Sequence, residues 1–168
     1  MSDSPAITVG ALDGGLYLRM EGRATQRSCP TADRIVYAFL TGQTQPALIS
    51  IDLNGCDFVD STFAGWLLGI RKAVTPAEGR VRLLNCSSRC RKSLETMRLG
   101  RLFEFAEGGS PVGVQAVTCT TSDRPTRGEL ELMLHAHEEL AALSPQNARV
   151  FAPIAAMLQQ ELQRKGSA

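Results

Sequence analysis

The sequence predicts an α/β domain with helices packed on a sheet, followed by a C-terminal helical hairpin. Three observations carry this prediction. Apolar stretches of strand length alternate with amphipathic helical patterns up to residue 107, the first two stretches form a hairpin, and two long helical stripes close the chain. Such an alternation is typical of helices that pack on a sheet around one core.

The strands are indicated by short apolar stretches and by a turn signal. Residues 7–11 and 16–21 are apolar-rich and flank an Asp-Gly-Gly sequence, which predicts an antiparallel hairpin. Residues 47–53 are nearly continuous in apolar and β-branched side chains, which predicts a strand buried on both faces. Residues 80–84 predict a second inner strand.

Helices are predicted between these strands. Pro30 fits the first turn of the first helix. Residues 54–57 indicate a turn, after which Asp60, Ser61 and Thr62 are three candidate N-caps for a second helix. The core-facing stripe of that helix consists of Phe63, Trp66, Leu67, Ile70 and Val74.

Two further features concern these helices. Gly65 and Gly69 lie four residues apart in the second helix, where each costs about 1 kcal/mol relative to alanine. We therefore expect them to allow close packing. Ser87 or Ser88 is expected to cap the third helix, whose dense basic residues form either a solvated face or a surface for an acidic partner.

The C-terminal part departs from this alternation. We divide the chain into a domain over residues 1–107, a linker or edge strand over 108–128 and a helical extension over 129–165. Pro153 lies inside the last helical stretch, so that helix is either kinked or starts later. The apolar stripes of the extension either cover the domain's own sheet or form a dimer seam, and the short linker favours the first.

Composition excludes several classes of function. The net charge of +1 gives no support for a nucleic-acid or acidic-membrane partner. No signal peptide precedes the domain and no apolar run reaches the roughly 18 residues of a membrane helix, so we expect a cytoplasmic protein. The five cysteines lack a zinc-ligand pattern, and His135 and His137 do not share a helix face. We expect free thiols, surface or tail-packing histidines, and no metal or cofactor.

Residues 52–62 resemble the signature of STAS domains, the family of anti-sigma factor antagonists. In that signature a strand ending in Asp-Leu is followed by a turn, an apolar pair and Asp-Ser-Ser or Asp-Ser-Thr at a helix start. Residues 80–85, 87–95 and 101–103 resemble the family's next strand, next helix and Leu-Phe close. The resemblance covers about residues 5–107 and implies a STAS-like mixed β-sheet with helices packed on it.

The resemblance implies a regulatory module, not an enzyme. In this family the serine after the motif aspartate is phosphorylated by a partner kinase that is itself the anti-sigma factor, of the histidine-kinase-like ATPase type. A metal-dependent serine phosphatase removes the phosphate. The matching serine is Ser61, with Thr62 as the alternative, and the implied partner-binding residues are Asp57, Asp60, Ser61, Thr62 and Phe63. Phe63 replaces the family's usual glycine, and it either joins the core stripe or contacts a partner.

The physical chemistry of the site agrees with a phosphorylation switch. A phosphate adds about −1.5 to −2 charge and three acceptor oxygens, which a helix N-terminus accommodates. Neighbouring Asp57 and Asp60 would amplify the change of sign. The residues alone favour an ordinary N-cap at Ser61, and the resemblance to the family reverses this preference. Two other functions stay open: a STAS-like module that senses a small nucleotide or lipid, and a non-phosphorylated scaffold protein in which the helical tail dominates and Ser61 is only a cap. Assembly as a homodimer also stays open.

Overall fold

The computed structural model describes residues 5–119 and 123–166, and it confirms the mixed α/β class. In chain order the elements are β1 (Ala6–Leu12), β2 (Gly15–Met20), β3 (Gly22–Ala24), α1 (Cys29–Thr41), β4 (Leu48–Asp52), β5 (Cys56–Val59), α2 (Ser61–Val74), β6 (Arg80–Leu84), α3 (Ser88–Thr96), β7 (Glu104–Ala106), β8 (Val112–Thr118), α4 (Arg127–Ala141) and α5 (Pro145–Gly166). A turn of 3₁₀ helix, Thr75–Ala77, follows α2.

Six strands form one sheet in the order β7-β6-β4-β2-β1-β8. The predicted hairpin is confirmed, because β1 pairs antiparallel with β2, and β8 then pairs antiparallel with the other edge of β1. The pairs β2 with β4, β4 with β6 and β6 with β7 are parallel. A separate pair, β3 with β5, is also parallel and leads directly into α2.

The two faces of the sheet differ in polarity. The helix-covered face contributes aliphatic side chains such as Leu18, Ile49 and Ile51 to the main core. On the opposite face the Tyr17 hydroxyl donates a 2.5 Å hydrogen bond to Asp52. Strand β4 is buried on both faces as predicted. On the second face Ser50 accepts a 2.7 Å hydrogen bond from Arg82, and a small apolar cluster is formed by Leu12, Tyr17 and Leu84.

Helix α2 is buried on more than one side, because the C-terminal extension packs against the side that faces away from the sheet. Every residue from Thr62 to Leu68 is buried, Gly65 included. Sheet contacts on one side of a helix cannot bury all of its faces. Helix α4 packs along α2, and α5 packs on α4. The expectation that the extension covers the sheet is therefore wrong in its main contact: α4 covers α2, which lies between it and the sheet.

Several boundaries also differ from the expected ones. Cys56 and Asp57 belong to β5 and not to the preceding turn. Helix α4 begins two residues earlier than expected because Thr126 and Glu129 form a reciprocal capping box. Helix α5 begins at Pro145 and continues through Pro153, so a later start is wrong. Of the two alternatives for residues 108–128, the edge strand is present as β8, and residues 120–122 of that range lie outside the described residues.

Candidate functional site

The site is built around the first turn of α2, which Asp60 caps. One carboxylate oxygen of Asp60 accepts a 2.8 Å hydrogen bond from the backbone N–H of Phe63, and the other accepts a 2.9 Å bond from the N–H of Gln26. Asp60 thereby joins α2 to the loop that precedes α1. Ser61 is not the cap; it is the first residue of the helix.

Burial is the main influence on the Asp60 carboxyl and raises its pKa above the ordinary value of 3.8. The backbone donors from Phe63 and Gln26 lower the pKa, as does the nearby His137 ring, but these effects are smaller than that of burial. The carboxylate is thus half-buried and held in place by hydrogen bonds.

Ser61 lies at the N-terminus of α2 and contacts the C-terminal extension. Its hydroxyl oxygen is 2.9 Å from Nε2 of His137. The Nδ1 atom of the same ring is 2.7 Å from the carbonyl oxygen of Met133. A carbonyl can only accept, so Nδ1 carries a hydrogen, and in the neutral ring Nε2 accepts from the Ser61 hydroxyl. The ring is therefore fixed on both sides, and His137 is only 3% exposed.

The close approach of α4 is made possible by Gly65, one turn beyond Ser61. A Cβ atom on Gly65 would lie 2.2 Å from the carbonyl oxygen of Ala136, which no side chain larger than hydrogen tolerates. A Cβ atom on Gly69 would be 3.9 Å from the His135 ring, an ordinary contact. The prediction of close packing therefore holds for Gly65, whereas Gly69 leaves room.

The other residues predicted to contact a partner are divided between core and surface. Thr62 is buried, and Phe63 is 0% exposed and packs against Trp66 with 5.3 Å between ring centroids. Asp57 is exposed on β5. Of the two alternatives for Phe63, the structure therefore places it in the core stripe.

The sequence analysis missed the exposed aromatic residue of the site, Phe58. Its side chain is 39% exposed, and the Arg23 guanidinium carbon lies 4.2 Å from the ring centroid. Phe58 and Asp60 line a groove of about 1140 Å³ between β3, the loop before α1 and the edge of the sheet. Cys56 and Val59 are buried and the two residues between them are exposed, which departs from the period-two alternation of a strand. Strand periodicity in the sequence would therefore not have placed Phe58 outside.

His137 is the second residue that the sequence analysis did not assign to the site. It occurs within an apolar stripe, and a buried imidazole needs polar partners for its ring nitrogens. That requirement was a usable signal, although it did not identify Ser61 as the partner. His135, by contrast, is exposed and lies 3.6 Å from Glu139.

Within residues 5–119 and 123–166, no group of three or more His, Cys, Asp or Glu side chains is placed to hold a metal ion. All five cysteines are free thiols. Among the helices described, none is long and apolar enough to cross a membrane.

Comparison with known proteins agrees with this geometry. A family model described as "STAS domain" matches residues 24–108, a stretch that includes Ser61 and excludes α4 and α5. The structure is similar to that of the anti-sigma factor antagonist SpoIIAA in its unphosphorylated form, with a TM-score of 0.53 and 20% sequence identity, covering 60% of this chain and 87% of that chain. No curated protein matches. Since the family model spans half of the sequence and the fold agrees with it, the chain belongs to the STAS domain family.

Proposed function

We propose that this chain is an anti-sigma-factor-antagonist-like regulatory module that is switched by reversible phosphorylation of Ser61. Its partner is a serine kinase of the histidine-kinase-like ATPase type that acts as an anti-sigma factor, and a metal-dependent serine phosphatase reverses the mark. The observation that carries the proposal is the place of Ser61 as first residue of α2, directly after the capping Asp60. Membership of the STAS family and likeness to an unphosphorylated antagonist support it.

The phosphoryl transfer uses the Ser61 hydroxyl as the acceptor. A bond forms between Oγ and the γ-phosphorus of ATP, the bond from that phosphorus to the β,γ-bridging oxygen breaks, ADP leaves, and the hydroxyl proton passes to a base on the kinase. The chain thus acts as substrate and binding partner. The helix N-terminus favours the new negative charge.

Phosphorylation would switch partner binding by changing the sign of a small surface. Asp57 and Asp60 already supply negative charge beside Ser61, and a phosphate would add about −1.5 to −2 more. A partner that recognises the unmodified surface would meet strong repulsion after the mark is added. The exposed Phe58 ring offers that partner an apolar anchor next to the switch.

Phosphorylation by purified kinases of this class from the source genome, with radiolabelled ATP, tests the proposal. We expect wild type and Thr62→Ala to incorporate one phosphate, and Ser61→Ala to incorporate none. Circular dichroism of each variant controls for folding. Equal incorporation into Ser61→Ala and wild type would contradict the assignment, and loss in Thr62→Ala alone would move it to Thr62.

Binding provides an independent test of the switch. We expect Ser61→Asp to raise the dissociation constant of the kinase complex at least tenfold. Ser88→Asp, which places the same charge at the first position of α3, serves as the matched control and should bind as wild type does. Unchanged affinity of Ser61→Asp would count against a switch at this residue.

A further inference from the structure

We propose that the hairpin of α4 and α5 is an intramolecular cover for Ser61, and that docking of α4 on α2 and a phosphate on Ser61 exclude each other. This inference rests on the proposed function, because it concerns the regulation of the same serine. The covering elements lie outside the residues matched by the family model. The hairpin therefore adds a second layer of control to the family switch.

Ser61 has no room for a phosphate on the side that faces His137 while α4 is docked on α2. The His137 ring nitrogen lies 2.9 Å from the hydroxyl oxygen, a distance that leaves no room for a phosphoryl group between the two atoms. The ring is buried, and its other nitrogen is bonded to the Met133 carbonyl in the same helix. Moving the ring aside would break that bond and leave a buried N–H without a partner, so we expect the phosphate to displace α4 instead.

The cover continues along α2. The backbone of α4 meets α2 at Gly65 and Ala136, where a hydrogen atom is all that fits. Further along α2, the Lys72 ammonium lies 3.3 Å from the Glu139 carboxylate. A partner that uses the outer face of α2 therefore competes with α4 for the same surface.

Contacts with the main core and with the end of α3 hold the hairpin against the domain. Leu140 and Phe151 belong to the main core cluster, and the Asn147 side chain donates a 2.9 Å hydrogen bond to the carbonyl of Met97 at the end of α3. These contacts favour the closed state in the unmodified protein. If only the open fraction binds the kinase, the apparent dissociation constant is the intrinsic one divided by that fraction. A change that loosens the hairpin without adding negative charge at Ser61 should then increase kinase binding and phosphorylation.

Hydrogen–deuterium exchange of full-length protein carrying a genetically encoded phosphoserine tests the mutual exclusion without any kinase. We expect Ser61→phosphoserine to accelerate exchange in residues 127–166 at least tenfold, while β4 and β6 stay protected. Ser88→phosphoserine, at the first position of α3, is the matched control and should leave the hairpin as in the unmodified protein. Equal or slower exchange of the hairpin after Ser61→phosphoserine would overturn the proposal.

Two glycine variants test the gating. In Gly65→Ala the three atoms nearest to the new methyl group all belong to Ala136 of α4, so the clash should open the hairpin. Gly69→Ala on the same helix makes no such clash and should leave the hairpin closed. We expect the hairpin amides to exchange at least tenfold faster in Gly65→Ala than in Gly69→Ala. The rate of phosphorylation by the kinase should be higher by at least the same factor. An open hairpin with an unchanged rate of phosphorylation would overturn the gating. Absence of phosphorylation in every variant would instead contradict the proposed function, and the phosphoserine experiment would still decide whether the cover exists.

Discussion

The Ser61 hydroxyl and the His137 imidazole lie 2.9 Å apart and join the first residue of α2 to the middle of α4. The same ring packs against Phe151 of α5, with 6.1 Å between ring centroids. His137 is thus a polar link to the STAS domain and an apolar contact within the hairpin. The side chain that meets the switch residue also belongs to the packing of its cover.

The first prediction concerns the stability supplied by this pair. We expect His137→Ala to lower the free energy of unfolding by about 1–3 kcal/mol, because it removes a buried hydrogen-bond partner and leaves the Ser61 hydroxyl without its acceptor. The measurement is urea unfolding followed by circular dichroism. His135→Ala is the matched control: its side chain is 68% exposed, so its effect should stay within about 0.5 kcal/mol.

A double-mutant cycle measures the interaction between Ser61 and His137 separately from the other contacts of each residue. Ser61→Ala and His137→Ala should be non-additive, with a coupling energy of about 0.5–1.5 kcal/mol. Strictly additive effects would mean that the hydrogen bond contributes nothing to the docking of α4.

The position of Ser61 could be predicted because its signals are local. A strand, a short turn and the Asp-Ser-Thr sequence lie within a few residues, and each restricts the backbone of the next. The contact with His137 could not be predicted in this way, since 76 residues separate the two. It depends on how α4 crosses α2, which is set by the space above Gly65.

The second prediction separates the two phenylalanines beside the switch. Phe63 is fully buried, so Phe63→Ala should cost about 3–5 kcal/mol of stability. Phe58 is exposed on β5, so Phe58→Ala should change stability little but raise the dissociation constant of the kinase complex at least tenfold. Calorimetric titration and urea unfolding measure the two effects. If Phe63→Ala stayed fully folded and bound the kinase more weakly, while Phe58→Ala bound it as wild type does, Phe63 would be the partner contact and Phe58 would not.

The two phenylalanines also show what limited the sequence analysis. The position of Phe63 after the motif Ser-Thr pair suggested either a core residue or a partner contact, and helical periodicity alone could not exclude the second. The sheet and α4 together bury α2, and Phe63 is therefore a core residue. The exposure of Phe58 could not be predicted from strand periodicity, which would place it on the same face as the buried Cys56, whereas β5 exposes both Asp57 and Phe58.

The third prediction is a pH dependence that arises from Asp60. Burial raises the folded-state pKa of Asp60 above 3.8. A raised pKa means that the folded protein takes up this proton more readily than the unfolded chain does. The stability from this group is therefore fully present below the unfolded pKa and is lost as the pH rises through the folded pKa.

Comparison with Asp60→Asn isolates this effect from that of the other carboxyl groups. The free energy of unfolding of wild type minus that of Asp60→Asn should increase as the pH is lowered from about 7 to about 4. Any unfavourable contact between the introduced amide and the Gln26 N–H is independent of pH, so it shifts the difference without changing its slope. Urea titrations at each pH give the values. A constant or decreasing difference would show that hydrogen bonds to the carboxylate outweigh burial.

The fourth prediction concerns the thiols. Burial raises the pKa of Cys56 to about 11 and that of Cys86 to about 12, from an ordinary value of 9.0. It also raises the pKa of Cys29 and Cys119. The thiolate is the reacting species, so alkylation by iodoacetamide at pH 8 should be at least tenfold slower in the native protein than in urea.

The order of modification provides a sharper test of the same environment. Cys86 is the half-buried member of the five, so it should be alkylated first when the modified peptides are identified by mass spectrometry. Cys86→Ser should then remove the earliest product and leave the slow phases unchanged. If any native cysteine reacted as fast as it does in urea, its side chain would have to be exposed as a thiolate, which its burial in this fold does not permit.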